Sequence, residues 1–221
     1  MKGLASLRTL DLTGTKVTDA GVEHLKGLDN FRNLNLGLTN VTNLAQMKGM
    51  TKLKDLNLSH STVTNAGLEN LKGLPSLRTL NLTGTKVTDA GVEHLKELPN
   101  LLSLKLMETQ VTGTGLKNLK GLAFLYLKNS TVTDAGLEQM KGLTALHALY
   151  LGNTKITGAG LENLKAIKYL TLDNTTVTDA GLEHLKGLTT KLNRLDLKGT
   201  NVTDEGVKNL KKALLGCNIS R

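Results

Sequence analysis

The chain has 221 residues, one cysteine, a formal net charge of +9 and only 2% aromatic residues. A single cysteine excludes an intrachain disulfide, and no apolar run is long enough to span a membrane. The positive charge suggests nucleic-acid binding, but no aromatic side chains are interleaved with the cations for base stacking, so this remains the minor hypothesis.

From its first residues onward the chain repeats itself about every 24 residues. The segment from Ser6 to Leu28 differs from the segment from Ser76 to Leu98 at only two positions. A period of this length is typical of a solenoid, in which one supersecondary unit stacks on the next.

Each repeat begins with a strand pattern and continues with a helix pattern. Leu10 and Leu12 are two residues apart, so they point to one face of a strand and the residues between them point to the other. The spacing of Val22, Leu25 and Leu28 then predicts a short helix, with Thr18 as its N-cap. One repeat cannot bury both apolar faces alone, and stacked neighbours can.

Nine copies of this unit follow one another along the chain. They predict a single domain over residues 1–221 and a C-terminal cap over 208–221. Strands are predicted near residues 9–12, 33–36, 55–58, 79–82, 103–106, 124–127, 148–151, 169–172 and 194–197.

The L-x-x-L-x-L pattern, followed by segments such as Val17-Thr18-Asp19-Ala20-Gly21-Val22, resembles the leucine-rich repeat family, in its cysteine-containing and bacterial branches. The resemblance covers essentially the whole chain. It implies an α/β fold, a right-handed horseshoe-shaped solenoid with a parallel sheet on the concave face and short helices on the convex face.

One column departs from that branch, because Thr or Ser stands where the branch has Cys. These hydroxyls lie where the chain leaves each strand, and we predict that they form a hydrogen-bond ladder between turns. The column consists of Thr15, Thr39, Ser61, Thr85, Thr109, Ser130, Thr154, Thr175 and Thr200.

Aromatic residues gather at the outward strand positions of the later repeats. Repeats one to four carry short polar residues there, whereas repeats six to eight carry Phe124, Tyr126, Tyr150 and Tyr169. Large, stiff aromatic side chains often anchor protein interfaces. They also suit strands without any binding role, so a site and a purely structural function remain open alternatives.

The preferred hypothesis is a non-catalytic protein-interaction module that binds a partner on its concave face. The four aromatic residues would be the anchors, and the margin would consist of Lys105, Met107, Lys128 and His147. The resemblance implies the same, since leucine-rich repeats mostly bind proteins. We predict no enzyme activity, no cofactor and no metal site, because the five histidines are dispersed and no catalytic or phosphate-binding motif occurs.

Two alternatives remain open. The near-identity of repeats one and four fits a structural scaffold, even a consensus-like design, with no dedicated site. Weak polyanion binding is the other, through the basic row Arg8, Arg32, Lys54 and Arg78.

The N-terminus shows neither a signal peptide nor a capping segment, since Met1 leads straight into the first repeat. We therefore expect either an N-terminally truncated fragment or, if the chain is complete, a cytoplasmic protein. An uncapped first repeat also suggests self-association. The identity of the partner and the location of the protein stay unknown at this stage.

Overall fold

A computed structural model of the chain describes residues 6–28, 30–188 and 192–221. The chain divides into two compact units, Met1–Thr109 and Gln110–Arg221, which are described separately. The prediction of one continuous domain of nine repeats stays a prediction.

The first unit contains five parallel strands in chain order. They are β1 (Thr9–Asp11), β2 (Asn33–Asn35), β3 (Asp55–Asn57), β4 (Thr79–Asn81) and β5 (Ser103–Lys105). The central leucines stay in register, so Leu10 lies opposite Leu34 and Leu56 opposite Leu80. Strands β2 to β5 each have a buried centre and more exposed flanking residues.

Short helices follow the strands of the first unit. The α-helices are α1 (Asp19–Glu23), α2 (Asn65–Leu68) and α3 (Asp89–Val92), and 3₁₀ turns cover Ala45–Met47, Glu69–Gly73 and Glu93–Glu97. The second repeat lacks the Ala-Gly step that follows Thr18, Thr64 and Thr88 in the other three repeats with helices α1 to α3. It forms only the 3₁₀ turn.

The second unit repeats this arrangement with β6 (Phe124–Tyr126), β7 (Ala148–Tyr150), β8 (Tyr169–Thr171), β9 (Arg194–Asp196) and β10 (Asn218–Ser220). These five strands are also parallel and in chain order. The helices are α4 (Asp134–Gln139), α5 (Asp179–Glu183) and α6 (Asp204–Ala213). The 3₁₀ turns cover Thr114–Leu116, Met140–Gly142, Leu161–Asn163 and Lys186–Leu188.

Strand β10 covers the edge of β9 after helix α6. The repeat pattern predicted a helical cap here and no strand, because only Ile219 stands at a leucine position. Ile219 lies opposite Leu195, and the amide of Leu197 donates to the carbonyl of Ser220 at 2.8 Å. The strand therefore supplies hydrogen bonds that the exposed edge of β9 would otherwise lack.

The core of each unit lies between its strands and its helices. Leu56 and Leu58 on the strand side and Leu68 and Leu71 on the helix side are all buried in the first unit. Burying such a leucine contributes about 1.5–3 kcal/mol, so the leucine columns provide most of the driving force for stacking. The opposite side of each sheet, called the open face below, carries the residues that alternate with the buried leucines.

The hydroxyl column forms a different hydrogen-bond pattern from the one predicted. Each hydroxyl donates to the backbone carbonyl three residues earlier in its own repeat, as Thr39 does to Leu36 at 2.6 Å and Thr154 to Leu151 at 2.6 Å. The predicted ladder between turns is therefore wrong. A short hydroxyl side chain at the turn lies closer to the carbonyl at the end of its own strand than to a group in the next repeat. The hydroxyl column therefore closes each turn within its own repeat.

Neighbouring repeats are joined instead by the residue that begins each helix. The carboxylate of Asp179 accepts bonds from the amide of Thr203 at 2.8 Å and from its hydroxyl at 2.6 Å. Asp134 holds Thr157 of the next repeat in the same way. The hydroxyl of Thr203 in turn caps α6, but the hydroxyl of Thr18 makes no capping bond to α1, so the capping prediction holds only in part.

No helix in the part of the chain that the structure describes has both the length and the apolar character needed to cross a bilayer.

Candidate functional site

The four aromatic residues of the second unit lie on the open face of three adjacent strands. The register places Phe124 opposite Ala148, and Ala148 opposite Tyr169. It also places Tyr126 opposite Tyr150. The leucine at the centre of each of these strands is buried, so the flanking aromatic side chains point away from the core. We call the residues Phe124, Tyr126, Tyr150 and Tyr169 the aromatic face.

Tyr126 and Tyr150 stack on each other along the face. Their ring centroids are 4.5 Å apart and the ring planes differ by 3°. Parallel neighbouring strands place the same repeat position about 4.8 Å apart, which suits the stacking of flat rings. Burial, together with the charge and hydrogen bond of Tyr150, raises the pKa of Tyr126 above its usual 10.0. Tyr126 therefore stays neutral at physiological pH, with its ring stacked on that of Tyr150.

Phe124 and Tyr169 are the exposed members of the aromatic face. They keep 43% and 46% of their surface in contact with solvent, although both stand on strands. Ala148 lies between them in register and is only 1% exposed, because the larger side chains around it cover it. Two exposed rings on either side of a small residue form a ridged apolar surface of the kind that binds other molecules.

An ion pair borders the tyrosine stack. The Nζ atom of Lys128 lies 3.1 Å from a carboxylate oxygen of Asp173, two repeats further along the second unit. Gly152 stands between them, and a Cβ atom there would fall only 2.6 Å from Cγ of Asp173. A glycine at this position leaves the space through which the two side chains meet.

The repeat pattern predicts Lys128 at the margin of the site, but it does not point to Asp173 or Gly152. Their shared repeat position is the only signal in the sequence. Lys128, Gly152 and Asp173 each come directly after the last leucine of the strand pattern in their own repeat. Periodicity alone does not show that a side chain can reach across a whole repeat.

His147, Lys168 and Arg194 lie along the other margin. His147 is half-buried, and its ring Nδ1 contacts the carbonyl of Ala145. The amide of Lys168 donates to the carbonyl of His147 at 2.8 Å, which places Lys168 beside it in the next repeat. Arg194 lies opposite Tyr169 and is exposed. Lys168 and Arg194 were not predicted as site residues, because nothing in their own repeats distinguishes them from other surface cations.

Lys105 and Met107 belong to the first unit. Both are half-buried, and the carbonyl of Met107 accepts the amide of Gly84 at 2.9 Å. Their grouping with the aromatic face stays a prediction.

Groups with metal or thiol chemistry do not converge near the aromatic face. Among the residues that the structure describes, no cluster of His, Cys, Asp and Glu side chains is placed to hold a metal ion. Burial raises the pKa of the Cys217 thiol, which favours its neutral, less reactive form.

Comparison with known proteins supports the repeat fold described above. The sequence profile of the family described as Leucine Rich repeat matches residues 3–26, 49–72, 73–96 and 190–211. A search of curated proteins finds no match to the chain.

Solved structures provide the wider comparison. The crystal structure of internalin C2 from Listeria monocytogenes is similar over 99% of this chain and 82% of that chain, with 26% identity and a TM-score of 0.69. A leucine-rich repeat protein of Leptospira interrogans covers 97% of this chain and 72% of its own, with 20% identity and a TM-score of 0.62, and shows the same fold. The parallel strands in each unit, the leucine columns, the matched repeats and the two bacterial structures together show a leucine-rich repeat fold.

Proposed function

We propose that the chain is a non-catalytic protein-interaction module that binds its partner through the aromatic face of the second unit. The leucine-rich repeat fold is a common protein-interaction module, and the concave side of the sheet is the surface that we propose for the partner. The single observation that carries the proposal is the exposure of Phe124 and Tyr169 beside the Tyr126–Tyr150 stack.

Rigidity favours this surface as a binding site. The aromatic side chains project from hydrogen-bonded strands, and the stack limits the motion of two of them. A partner that covers these rings therefore gains apolar burial with little loss of side-chain entropy. Phe124 and Tyr169 would enter pockets of the partner, as interface anchors commonly do.

The residues at the margin would orient the partner more than they would strengthen its binding. Lys128, paired with Asp173, and His147 flank the rings, and exposed charges at a rim change binding modestly. Lys105 and Met107 are proposed as further contacts from the first unit. The absence of enzyme activity is also part of the proposal, and it is supported by the dispersed histidines.

The test compares the full chain with a double variant, Phe124→Ser with Tyr169→Ser, immobilised and exposed to proteins of the source organism and its surroundings. We expect one or a few proteins to bind the unaltered chain and to be lost from the variant. For a purified partner, the loss of two anchors should weaken Kd by roughly thirtyfold or more. Circular dichroism should show an unchanged fold, because both side chains are exposed.

Leu102→Ser is the matched control, since Leu102 is 42% exposed and lies in the first unit. The control should bind like the unaltered chain. If the double variant retained full affinity, the aromatic face would not be the contact surface. If the unaltered chain bound no protein at all, the array would be a scaffold without a dedicated site.

A further inference from the structure

A second surface of different chemistry lies on the first unit, where four cations precede strands β1 to β4. The amide of Arg32 donates to the carbonyl of Arg8 at 2.7 Å, and Lys54 and Arg78 continue the same ladder at 2.7 and 2.8 Å. These bonds place the four residues in consecutive repeats, about 4.8 Å apart. We call Arg8, Arg32, Lys54 and Arg78 the basic row.

The basic row has no acidic partner within the described chain. The ion pairs found among residues 6–28, 30–188 and 192–221 involve none of its four members. Arg8, Arg32 and Arg78 are exposed and Lys54 is half-buried. Like charges at such short spacing repel one another and produce a positive potential that attracts a linear anion.

A cleft adjoins the row on the open face of the first unit. Its volume is about 350 Å³, and the strands that line it are β1 to β5. The lining combines hydroxyl, amide and carboxylate groups with Lys105 and three strand leucines, and it contains no aromatic side chain. Its polar members include Thr9, Asp11, Asn33, Asp55, Asn57 and Asn81.

The two carboxylates of the cleft select among possible anions. Asp11 and Asp55 can only accept hydrogen bonds when ionised, and hydrogen bonds from Thr13 keep the pKa of Asp11 below its usual value. The bases of a nucleic acid would find no ring in the cleft on which to stack. The two carboxylates would instead accept hydrogen bonds from hydroxyl groups of a ligand.

Spacing argues against an acidic peptide along the row. An extended peptide presents side chains on one face about every 6.6 Å, so its charges fall out of step with repeats about 4.8 Å apart. A pyranose ring is about as long as one such step. A chain of sugar acids offers both a carboxylate for each cation and hydroxyl groups for the cleft.

We infer that the open face of the first unit binds an acidic polysaccharide. The guanidinium groups of Arg8, Arg32 and Arg78 and the ammonium group of Lys54 contact its carboxylates. The cleft side chains hydrogen-bond to its hydroxyl groups, and the Asn33 amide, which lies between Thr9 and Asp55, is central to them. This site lies on the first unit, and Lys105, which is also proposed as a contact for the protein partner, is part of its lining.

The test measures binding of the full chain to polygalacturonate by isothermal titration calorimetry at low and at physiological salt. The double variant Arg8→Gln with Arg32→Gln should bind roughly tenfold more weakly, since two exposed charge contacts are lost. Asn33→Ala should weaken binding roughly threefold at either salt concentration, because it removes a hydrogen bond without changing the charge. The methyl-esterified polymer, which has the same sugars without their charge, should show little binding.

The matched control removes two exposed lysines from the helix side of the same unit, Lys26→Gln with Lys96→Gln. The control has the same net charge as the arginine variant and should keep nearly full affinity for polygalacturonate. An equal loss in both double variants would overturn the proposal, because binding would then follow net charge alone. Equal affinity for single-stranded DNA, with no effect of Asn33→Ala, would also overturn it and would indicate a general polyanion surface.

Discussion

Strands β2, β3 and β4 of the first unit end in asparagine, whereas β6 and β7 of the second unit end in tyrosine at the same repeat position. The asparagine oxygens accept the backbone amide two residues on, as Asn35 does from Gly37 at 3.1 Å and Asn57 from Ser59 at 3.0 Å. The tyrosines stack on each other instead. The same strand geometry therefore supports either a polar, locally bonded surface or an aromatic one.

The buried side of the two sheets shows no such difference. Leu56 in the first unit and Leu149 in the second occupy the same position and are equally buried. Stacking depends on this side, while the open face is free to vary between the units. We therefore propose that the function of each unit resides at its open positions.

The largest effects should come from the shared core. Leu80→Ala in the first unit and Leu149→Ala in the second should each lower the free energy of unfolding by about 2–5 kcal/mol, because both residues are fully buried. Urea denaturation followed by circular dichroism measures both. A loss of less than about 1 kcal/mol in either variant would contradict the burial of that leucine in the core.

The two units should also differ, by a smaller amount of stability, at the turn that follows each strand. Leu38 of the first unit has a left-handed φ of 57° and is 59% exposed, whereas Asn153 of the second unit has a φ of 56°. Asparagine adopts this conformation more readily than leucine.

Leu38→Asn should therefore stabilise the chain by about 1 kcal/mol, because it relieves backbone strain and sacrifices little packing. Asn153→Leu is the reciprocal variant and should destabilise it by a similar amount. Urea midpoints measure both changes. If Leu38→Asn destabilised the chain, packing of this exposed side chain would matter more than its backbone strain.

The bond between repeats should tolerate the exchange of a carboxylate for an amide. Asn65 of the first unit holds Thr88 through its amide oxygen at 3.0 Å and its amide nitrogen at 2.9 Å, much as Asp179 holds Thr203 in the second. Asp179→Asn should retain most of the thermal stability at neutral pH, and Asp179→Ala should lower Tm. Equal Tm values for the two variants would mean that the bond contributes nothing measurable.

The pH dependence follows from the same contact. Hydrogen bonds from Thr203 lower the pKa of Asp179 below its usual 3.8. Its stabilising contribution is therefore complete above that value and disappears as the pH falls through the lower pKa of the folded chain. Asp179→Asn should remove this part of the acid sensitivity, which thermal melts in an acidic series would detect.

The smallest effect should appear in the tyrosine pair. The raised pKa of Tyr126 stabilises its neutral phenol, so this contribution persists below about 10 and is lost as the pH rises through the folded-state pKa. Tyr150→Phe removes the neighbouring hydroxyl and should return the pKa of Tyr126 toward 10.0. Tyrosinate absorbance suits this titration, since the chain has three tyrosines and no tryptophan. An unchanged pKa of Tyr126 in the Tyr150→Phe variant would contradict the contact between the two tyrosine side chains.

Periodicity accounts for what the sequence predicts well. Leu10 and Leu12, two residues apart and repeated nine times, determine both the strand and its buried side, and the outward position of Tyr126 follows directly. The fold class is confirmed by the parallel strands and by the two solved structures. Strand β10 was missed because Ile219 alone does not make a pattern.

Contacts that depend on side-chain reach were harder to predict. The hydroxyl of Thr39 donates to the carbonyl of Leu36 in its own repeat and not to the next repeat. The rotamer and the distance to each acceptor decide this, and the sequence states neither. The pairing of Lys128 with Asp173 depends on the space left by Gly152, which only the three-dimensional register reveals. The repeat position of a residue predicts which residues are its neighbours, but it does not predict which of them it hydrogen-bonds or pairs with.

The most direct measurement is the nuclear Overhauser effect between the rings of Tyr126 and Tyr150 in a chain with labelled tyrosine. We predict strong cross-peaks between the two rings, because their centroids are 4.5 Å apart on the open face of β6 and β7. Rings without mutual contact, or rings in contact with core leucines such as Leu125 and Leu149, would contradict the existence of the aromatic face.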